Sequence, residues 1–122
     1  MAGYTHYKWS QTNASNYVHD AGMRSFLLQL DFHEKMTLKD HNHLIYYQSD
    51  YGPTFGGGHD LHISNDCYNS NGSYCNFAYT YNHEETKKYA YQNQVTWTAF
   101  CGASGGYNFK VLEYEVYKVS WK

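Results

Sequence analysis

Met23-Arg24-Ser25-Phe26-Leu27-Leu28-Gln29-Leu30-Asp31-Phe32 is the stretch on which the fold turns. Phe26, Leu28, Leu30 and Phe32 recur at every second position after Arg24, with Ser25, Gln29 and Asp31 on the other side. A period of two is that of a strand with one face toward a core. The spacing predicts a strand over Met23 to Phe32 with the Phe26–Leu28–Leu30–Phe32 set turned inward. Outward from it, Met36-Thr37-Leu38 resumes the alternation after a short polar turn, and Leu44 to Gln48 is apolar and aromatic, as in a central strand. Leu61 and Ile63 begin another strand, and Phe77 to Tyr81 and Val95 to Phe100 supply two more. His83 to Lys88 is charged and reads as a solvated connection or a short helical turn.

The longest strand signal is Tyr107 to Trp121. Phe109 and Val111 share a face, after which the apolar phase moves to Leu112, Tyr114 and Val116. A shift of one residue is what a β-bulge produces. Tyr117, Val119 and Trp121 fall opposite Leu112, Tyr114 and Val116, so the strand is expected to be apolar on both faces. Such a strand needs covering, and a homo-oligomer built on a two-fold axis is the expected solution. Helix start signals with apolar residues at 3.6 spacing are few. The expected fold is mainly β: an antiparallel two-sheet β-sandwich forming a single domain over residues 1–122.

Nine basic and eleven acidic residues give a formal charge of −2. Nucleic-acid binding normally shows as a basic excess, so that class is set aside. No run approaches the roughly 20 apolar residues that span a bilayer, so no membrane insertion is expected. Met1 to His6 lack the apolar run of a signal peptide. A secreted or extracellular location would make this the mature form; the alternative is cytoplasmic. Aromatic residues make up 20% of the chain, with 15 tyrosines, which marks an ordered fold and supplies residues common at recognition surfaces. Cys67, Cys75 and Cys101 are an odd count. Cys67 and Cys75 flank a turn-rich loop and form the expected local disulfide, leaving Cys101 spare. Asn13-Ala14-Ser15 and Asn71-Gly72-Ser73 match the glycosylation triplet.

Tyr51-Gly52-Pro53-Thr54-Phe55-Gly56-Gly57-Gly58-His59-Asp60-Leu61-His62-Ile63 holds the sole proline and three consecutive glycines. Such a run permits positive φ or close backbone approach. His59 and Asp60 at its end are candidate hydrogen-bond partners for a ligand hydroxyl. The loop that follows places Asp66, Asn69 and Asn71 at close spacing, an oxygen-rich set suited to Ca²⁺, although the same residues are ordinary turn formers. Tyr68 and Tyr74 beside it are candidate stacking rings for a sugar. His41, His43, His59 and His62 are a weaker candidate set for zinc. No catalytic motif is present: Cys101 lacks a protease context, no Gly-x-Ser-x-Gly elbow or phosphate-binding glycine loop occurs, and Glu113 and Glu115 read as solvent-facing. An enzyme is not expected.

The glycine run resembles the signature of the TLDc domain. Ser73-Tyr74-Cys75-Asn76-Phe77 and Tyr107 to Tyr117 resemble that domain's closing segments. Gly3-Tyr4-Thr5 with Trp9 is similar to the family's Gly-Gly-Tyr-Thr strand end, and Ser25 to Leu30 to its next strand. The likeness is colinear over nearly the whole chain, which starts at the Gly-Gly-Tyr-Thr-like element, without the helix and strands that precede it in a full domain. It implies a β-sandwich, intracellular roles in oxidative-stress protection, and contact with the proton-pumping vacuolar ATPase. Two functions are therefore expected. The first is a lectin-like protein binding glycans or glycoproteins, calcium-dependent and multivalent through oligomerisation. The alternative is a TLDc-type protein-interaction module.

Overall fold

A computed structural model describes residues 1–9, 16–31, 33–82 and 108–122. All regular structure among the described residues is strand: β1 (Ala2–Tyr4), β2 (Asn16–Val18), β3 (Phe26–Gln29), β4 (Glu34–Leu38), β5 (Ile45–Tyr47), β6 (Tyr51–Phe55), β7 (Leu61–Ser64), β8 (Ser73–Tyr74), β9 (Tyr81–Asn82) and β10 (Asn108–Phe109). They form two antiparallel sheets, a four-stranded one in the order β1-β3-β4-β9 and a six-stranded one in the order β10-β8-β7-β6-β5-β2. The mainly-β, two-sheet architecture is the expected one. Leu44 to Gln48 does contain a central strand, β5, flanked by β2 and β6.

The core lies between the sheets. Leu27, Met36, Leu38 and Tyr81 come from the four-stranded sheet, Ile45, Phe55 and Leu61 from the six-stranded one, with Leu44, Cys75 and Phe77 from connections. Phe55 and Tyr81 meet edge to face across the gap, with centroids 6.1 Å apart. The Tyr81 hydroxyl donates to the Leu44 carbonyl at 2.7 Å, so its polar end is satisfied inside the core.

The expected inner face of β3 is the outer one. Leu27 is fully buried and Gln29 nearly so, whereas Phe26 and Leu28 are half-buried and Leu30, beyond the strand, is 57% exposed. Phe32 lies outside the described residues. The register explains the inversion: Leu27 pairs with Gly3 and Met36 on the core side, and Phe26 pairs with Tyr4 and Thr37 on the other. Outside, Phe26 stacks on Tyr4 at 5.1 Å and carries the Lys35 ammonium 4.3 Å above its ring. A run with apolar residues on both faces cannot fix its own phase, and here the outer set is shielded by an aromatic stack instead of a core.

The closing strand is also much shorter than its pattern predicts. Among the described residues, only Asn108–Phe109 of it pairs, with β8. A single backbone bond, from the Val111 N–H to the Cys67 carbonyl at 3.3 Å, extends the association. Leu112, Val116, Tyr117 and Trp121 are 72–85% exposed, so Glu113 and Glu115 do not share a strand face and no bulge follows Val111. A strand exists only where a neighbour takes its backbone groups, and residues 112–122 join no described ladder. The bulge occurs instead in the β6–β7 pair, between Tyr51 and Thr54. Phe77 to Tyr81 contributes strand only at its end, in β9. Val95 to Phe100, His83 to Lys88, Cys101 and Asn13 lie outside the described residues.

The expected Cys67–Cys75 disulfide is not formed. Cys67 is a buried free thiol, and Cys75 points into the core cluster, to which Cys67 does not belong. Cys75 is itself disulfide-bonded, and not to Cys67. The inverted face of β3 is testable. Leu27→Ala should cost about 2–5 kcal/mol in urea unfolding, while Leu30→Ala should change stability by about 0.5 kcal/mol or less.

Candidate functional site

Asp60 organises the glycine run. Its side chain is fully buried, and both carboxylate oxygens accept backbone hydrogen bonds. The N–H groups of Tyr79 and Tyr81 reach Oδ2 at 3.1 Å, and that of Thr80 divides between both oxygens at 3.0 and 3.1 Å. Burial pushes the carboxyl up to about 7, against the pull of these donors and of the Lys39 charge. The carboxylate fits only because residue 56 is glycine. Gly56 has φ +87°, and a Cβ built there would sit 1.9 Å from Asp60 Oδ1. Gly57 is equally confined, since its Cβ would lie 2.8 Å from His43 and 2.9 Å from Tyr79. Its N–H donates to Thr80 Oγ1 at 2.7 Å and its carbonyl accepts from the Tyr17 hydroxyl at 2.8 Å. Asn76 closes the turn by donating its side-chain amide to the Gly58 carbonyl at 2.9 Å. Asp60 is thus placed as an internal clamp and does not face a ligand.

His59 points the other way. With φ +53° it ends the turn in the left-handed region, and its ring joins the outer face of the six-stranded sheet. Successive pairs carry a row of side chains across that face: Tyr17 opposite Tyr46, Tyr46 opposite Thr54, Thr54 opposite His62, and His62 opposite Tyr74. The bulge at Tyr51 brings that ring within 4.8 Å of His62 and 5.1 Å of Tyr46. The His59 ring lies 4.9 Å from Tyr46, 5.6 Å from Tyr51 and 5.9 Å from His62. The result is a continuous aromatic and imidazole cluster of Tyr17, Tyr46, Tyr51, His59, His62 and Tyr74.

The hydrogen bonds in the cluster are specific. The Thr54 hydroxyl donates to the Gly52 carbonyl at 3.0 Å, so its 2.8 Å contact with His62 Nδ1 must be an N–H donated by the imidazole. His62 is therefore the Nδ1–H tautomer. His59 Nδ1 meets the Tyr74 hydroxyl at 2.5 Å. Desolvation lowers both imidazoles, taking His62 down to about 4 with help from neighbouring His59. Both rings are neutral at physiological pH.

The other expected site residues are scattered. Tyr68, in the loop between β7 and β8, is exposed and stacks on Tyr114, 6.4 Å away, with no ring contact to the cluster among the described residues. Asp66, Asn69 and Ser70 form a turn, with the Asn69 and Ser70 N–H groups on the Asp66 carbonyl at 3.2 and 3.0 Å. The Asn69 side-chain amide donates to Asp66 Oδ1 at 2.8 Å, and Asn71 is exposed. Of the expected histidine set, His41 packs on His19 and His43 binds Asp40, while His59 and His62 lie together. No group of three or more His, Cys, Asp or Glu is placed to hold a metal ion among the described residues. The structure brings His59 and Tyr74, named separately as ligand-binding candidates, and His62, named in the histidine set, into one cluster, whereas Tyr17, Tyr46 and Tyr51 were not singled out by the sequence. The faint signal for them is the alternation of ring-bearing or polar Tyr46, Thr54, His62 and Tyr74 with apolar Ile45, Phe55, Leu61 and Cys75.

A family model described as the TLDc domain matches residues 1–120. Neither the curated proteins nor the solved structures contain a significant match to the chain.

Two measurements probe this arrangement. Gly56→Ala should destabilise the fold by clearly more than the roughly 1 kcal/mol that separates Gly from Ala in ordinary conformations, read by chemical denaturation. The second concerns His62, whose folded value lies below the unfolded one near 6.5, so its neutral form contributes stability that is present above pH 6.5 and lost as pH falls toward 4. Asp60 works oppositely, favouring the protonated form and losing stability as pH rises through 7. The difference between wild type and His62→Gln cancels the Asp60 contribution. Over the window from about 6.5 to 4, that difference should shrink toward acid by up to about 3 kcal/mol.

Proposed function

The chain belongs to the TLDc family, and from that premise we propose that it is a non-enzymatic, intracellular protein-interaction module of the TLDc kind. Its partner on this reading is the proton-pumping vacuolar ATPase, in keeping with the family's link to oxidative-stress protection. The observation that carries the reading is the family match over residues 1–120. Two features of the structure support it. The glycine signature is engaged in internal hydrogen bonds through Asp60, Gly57, Gly58 and Asn76, so its polar groups serve the fold. Leu112, Val116, Tyr117 and Trp121 present apolar side chains to solvent, the kind of surface a protein partner covers.

Carbohydrate binding has less behind it. Asp60 is inaccessible, Asp66 and Asn69 bond to each other, and Tyr68 stacks on Tyr114 rather than on His59 or Tyr74. The deciding experiment adds the purified protein to vesicles rich in vacuolar ATPase. Co-sedimentation and a concentration-dependent change in ATP-driven acidification are expected, with an empty glycan array in calcium and in chelator. Calcium-dependent glycan signals without vesicle association would reverse the choice.

A further inference from the structure

The hydroxyls of the outer-face cluster are not chemically equivalent. Tyr17 donates to the Gly57 carbonyl at 2.8 Å, Tyr46 to the Gln48 amide oxygen at 2.7 Å, and core Tyr81 to the Leu44 carbonyl at 2.7 Å. Carbonyl and amide oxygens accept hydrogen bonds but are far too weakly basic to take the proton. Tyr74 differs, because its hydroxyl meets a ring nitrogen, His59 Nδ1, at 2.5 Å. So short a separation suits an O–H donor better than an N–H donor, which places the phenolic proton between Tyr74 and the base. The two rings stack, with 27° between their planes and 6.0 Å between centroids.

We propose that Tyr74 and His59 form a proton-coupled one-electron oxidation site, fed by the surrounding rings. The cluster offers a path for the electron. Tyr17, Tyr46 and Tyr51 lie 4.9–5.1 Å apart in sequence, Tyr51 lies 4.8 Å from His62, and His62 lies 4.9 Å from Tyr74. At its far end Tyr17 touches His43 at 4.9 Å, and His43 lies 6.4 Å from Tyr79, which is exposed. A diffusible one-electron oxidant, such as a peroxyl radical or a high-valent metal complex, takes one electron from the cluster and is reduced by one electron. The vacancy settles on Tyr74, whose O–H bond breaks as the proton moves to His59 Nδ1. The products are a neutral Tyr74 phenoxyl radical and a His59 imidazolium. A one-electron reductant reverses the step: the electron returns to Tyr74 and His59 gives back the proton. Tyr17 and Tyr46 direct their phenolic protons at a carbonyl and an amide oxygen, which are too weakly basic to take them, whereas Tyr74 directs its proton at an imidazole nitrogen. Burial weakens His59 as a base and so opposes the forward proton transfer, but it speeds return of the proton to Tyr74 once the radical is quenched. The inference stands on ring geometry and does not depend on the proposed partner.

The test uses flash-generated tris(bipyridine)ruthenium(III) with a cobalt(III) pentaammine acceptor, followed by transient absorption and electron paramagnetic resonance. Wild type should give a tyrosyl signal whose formation is slowed in D₂O. Tyr74→Phe, which removes only the hydroxyl, should lose most of that amplitude. His59→Asn keeps a residue tolerant of positive φ but removes the base, and should slow radical formation by about a hundredfold. Circular dichroism of each variant establishes that it is folded, and the isotope effect in the unaltered protein needs no variant at all. Wild-type amplitude in folded Tyr74→Phe, a wild-type rate in folded His59→Asn, or no isotope effect in wild type would each overturn the proposal.

Discussion

One carboxylate joins the two sheets. Asp60 stands at the head of β7 in the six-stranded sheet, and the N–H groups it accepts belong to Tyr79, Thr80 and Tyr81, which lead into β9 of the four-stranded sheet. Hydrophobic burial brings sheets together without setting their offset, because it has no direction. Three hydrogen bonds aimed at one buried group do set it. A buried carboxylate is costly unless its acceptors are filled, so the clamp is either made or strongly unfavourable. That all-or-none character makes the glycine at position 56 obligatory: any side chain there would occupy the space of the Asp60 oxygen.

The clamp also determines what the outer face becomes. Residues at the end of the turn leave it in opposite directions, Asp60 inward and His59, at positive φ, outward. Once Asp60 is fixed, the His59 ring has little freedom and comes to rest against Tyr46, Tyr51 and Tyr74. The bulge at Tyr51 adds the last member by turning that ring toward His62. Each ring therefore reaches the cluster through backbone geometry fixed elsewhere, and side-chain packing then excludes enough water to hold both imidazoles neutral.

The sequence revealed the fold class and the special character of the glycine run, because both depend on local signals: alternation, and glycine where positive φ and close approach are needed. It pointed to His59, His62 and Tyr74 separately but not to Tyr17, Tyr46 or Tyr51. Tyr17, Tyr46 and Tyr74 lie 57 residues apart at the extremes, and only the strand order brings them onto one row. Asp60 was legible as a polar residue in a special place, but not as buried, since its donors come from a segment with no polar motif of its own. The faces of β3 were misread because Phe26 and Leu28 are as apolar as Leu27, and only the opposing Gly3 and Met36 decide between them. The pattern of Leu112 to Trp121 failed for a related reason. Alternation states what a strand would bury, while pairing requires a neighbour with free backbone groups.

These two kinds of surface imply a division of labour within one small sandwich. The inner faces are generic, built from Leu, Ile, Met and Phe that many sequences would supply. The outer face of the six-stranded sheet carries hydroxyl and imidazole groups whose partners are individually specified, down to the tautomer of His62. Because His59 and Asp60 are adjacent, strain on the clamp would be transmitted directly to the Tyr74–His59 hydrogen bond. The clamp between the sheets and the Tyr74–His59 pair are therefore joined through a single peptide unit. That coupling holds a donor and a base at fixed distance, with the disulfide-bonded Cys75 next to Tyr74 in the chain.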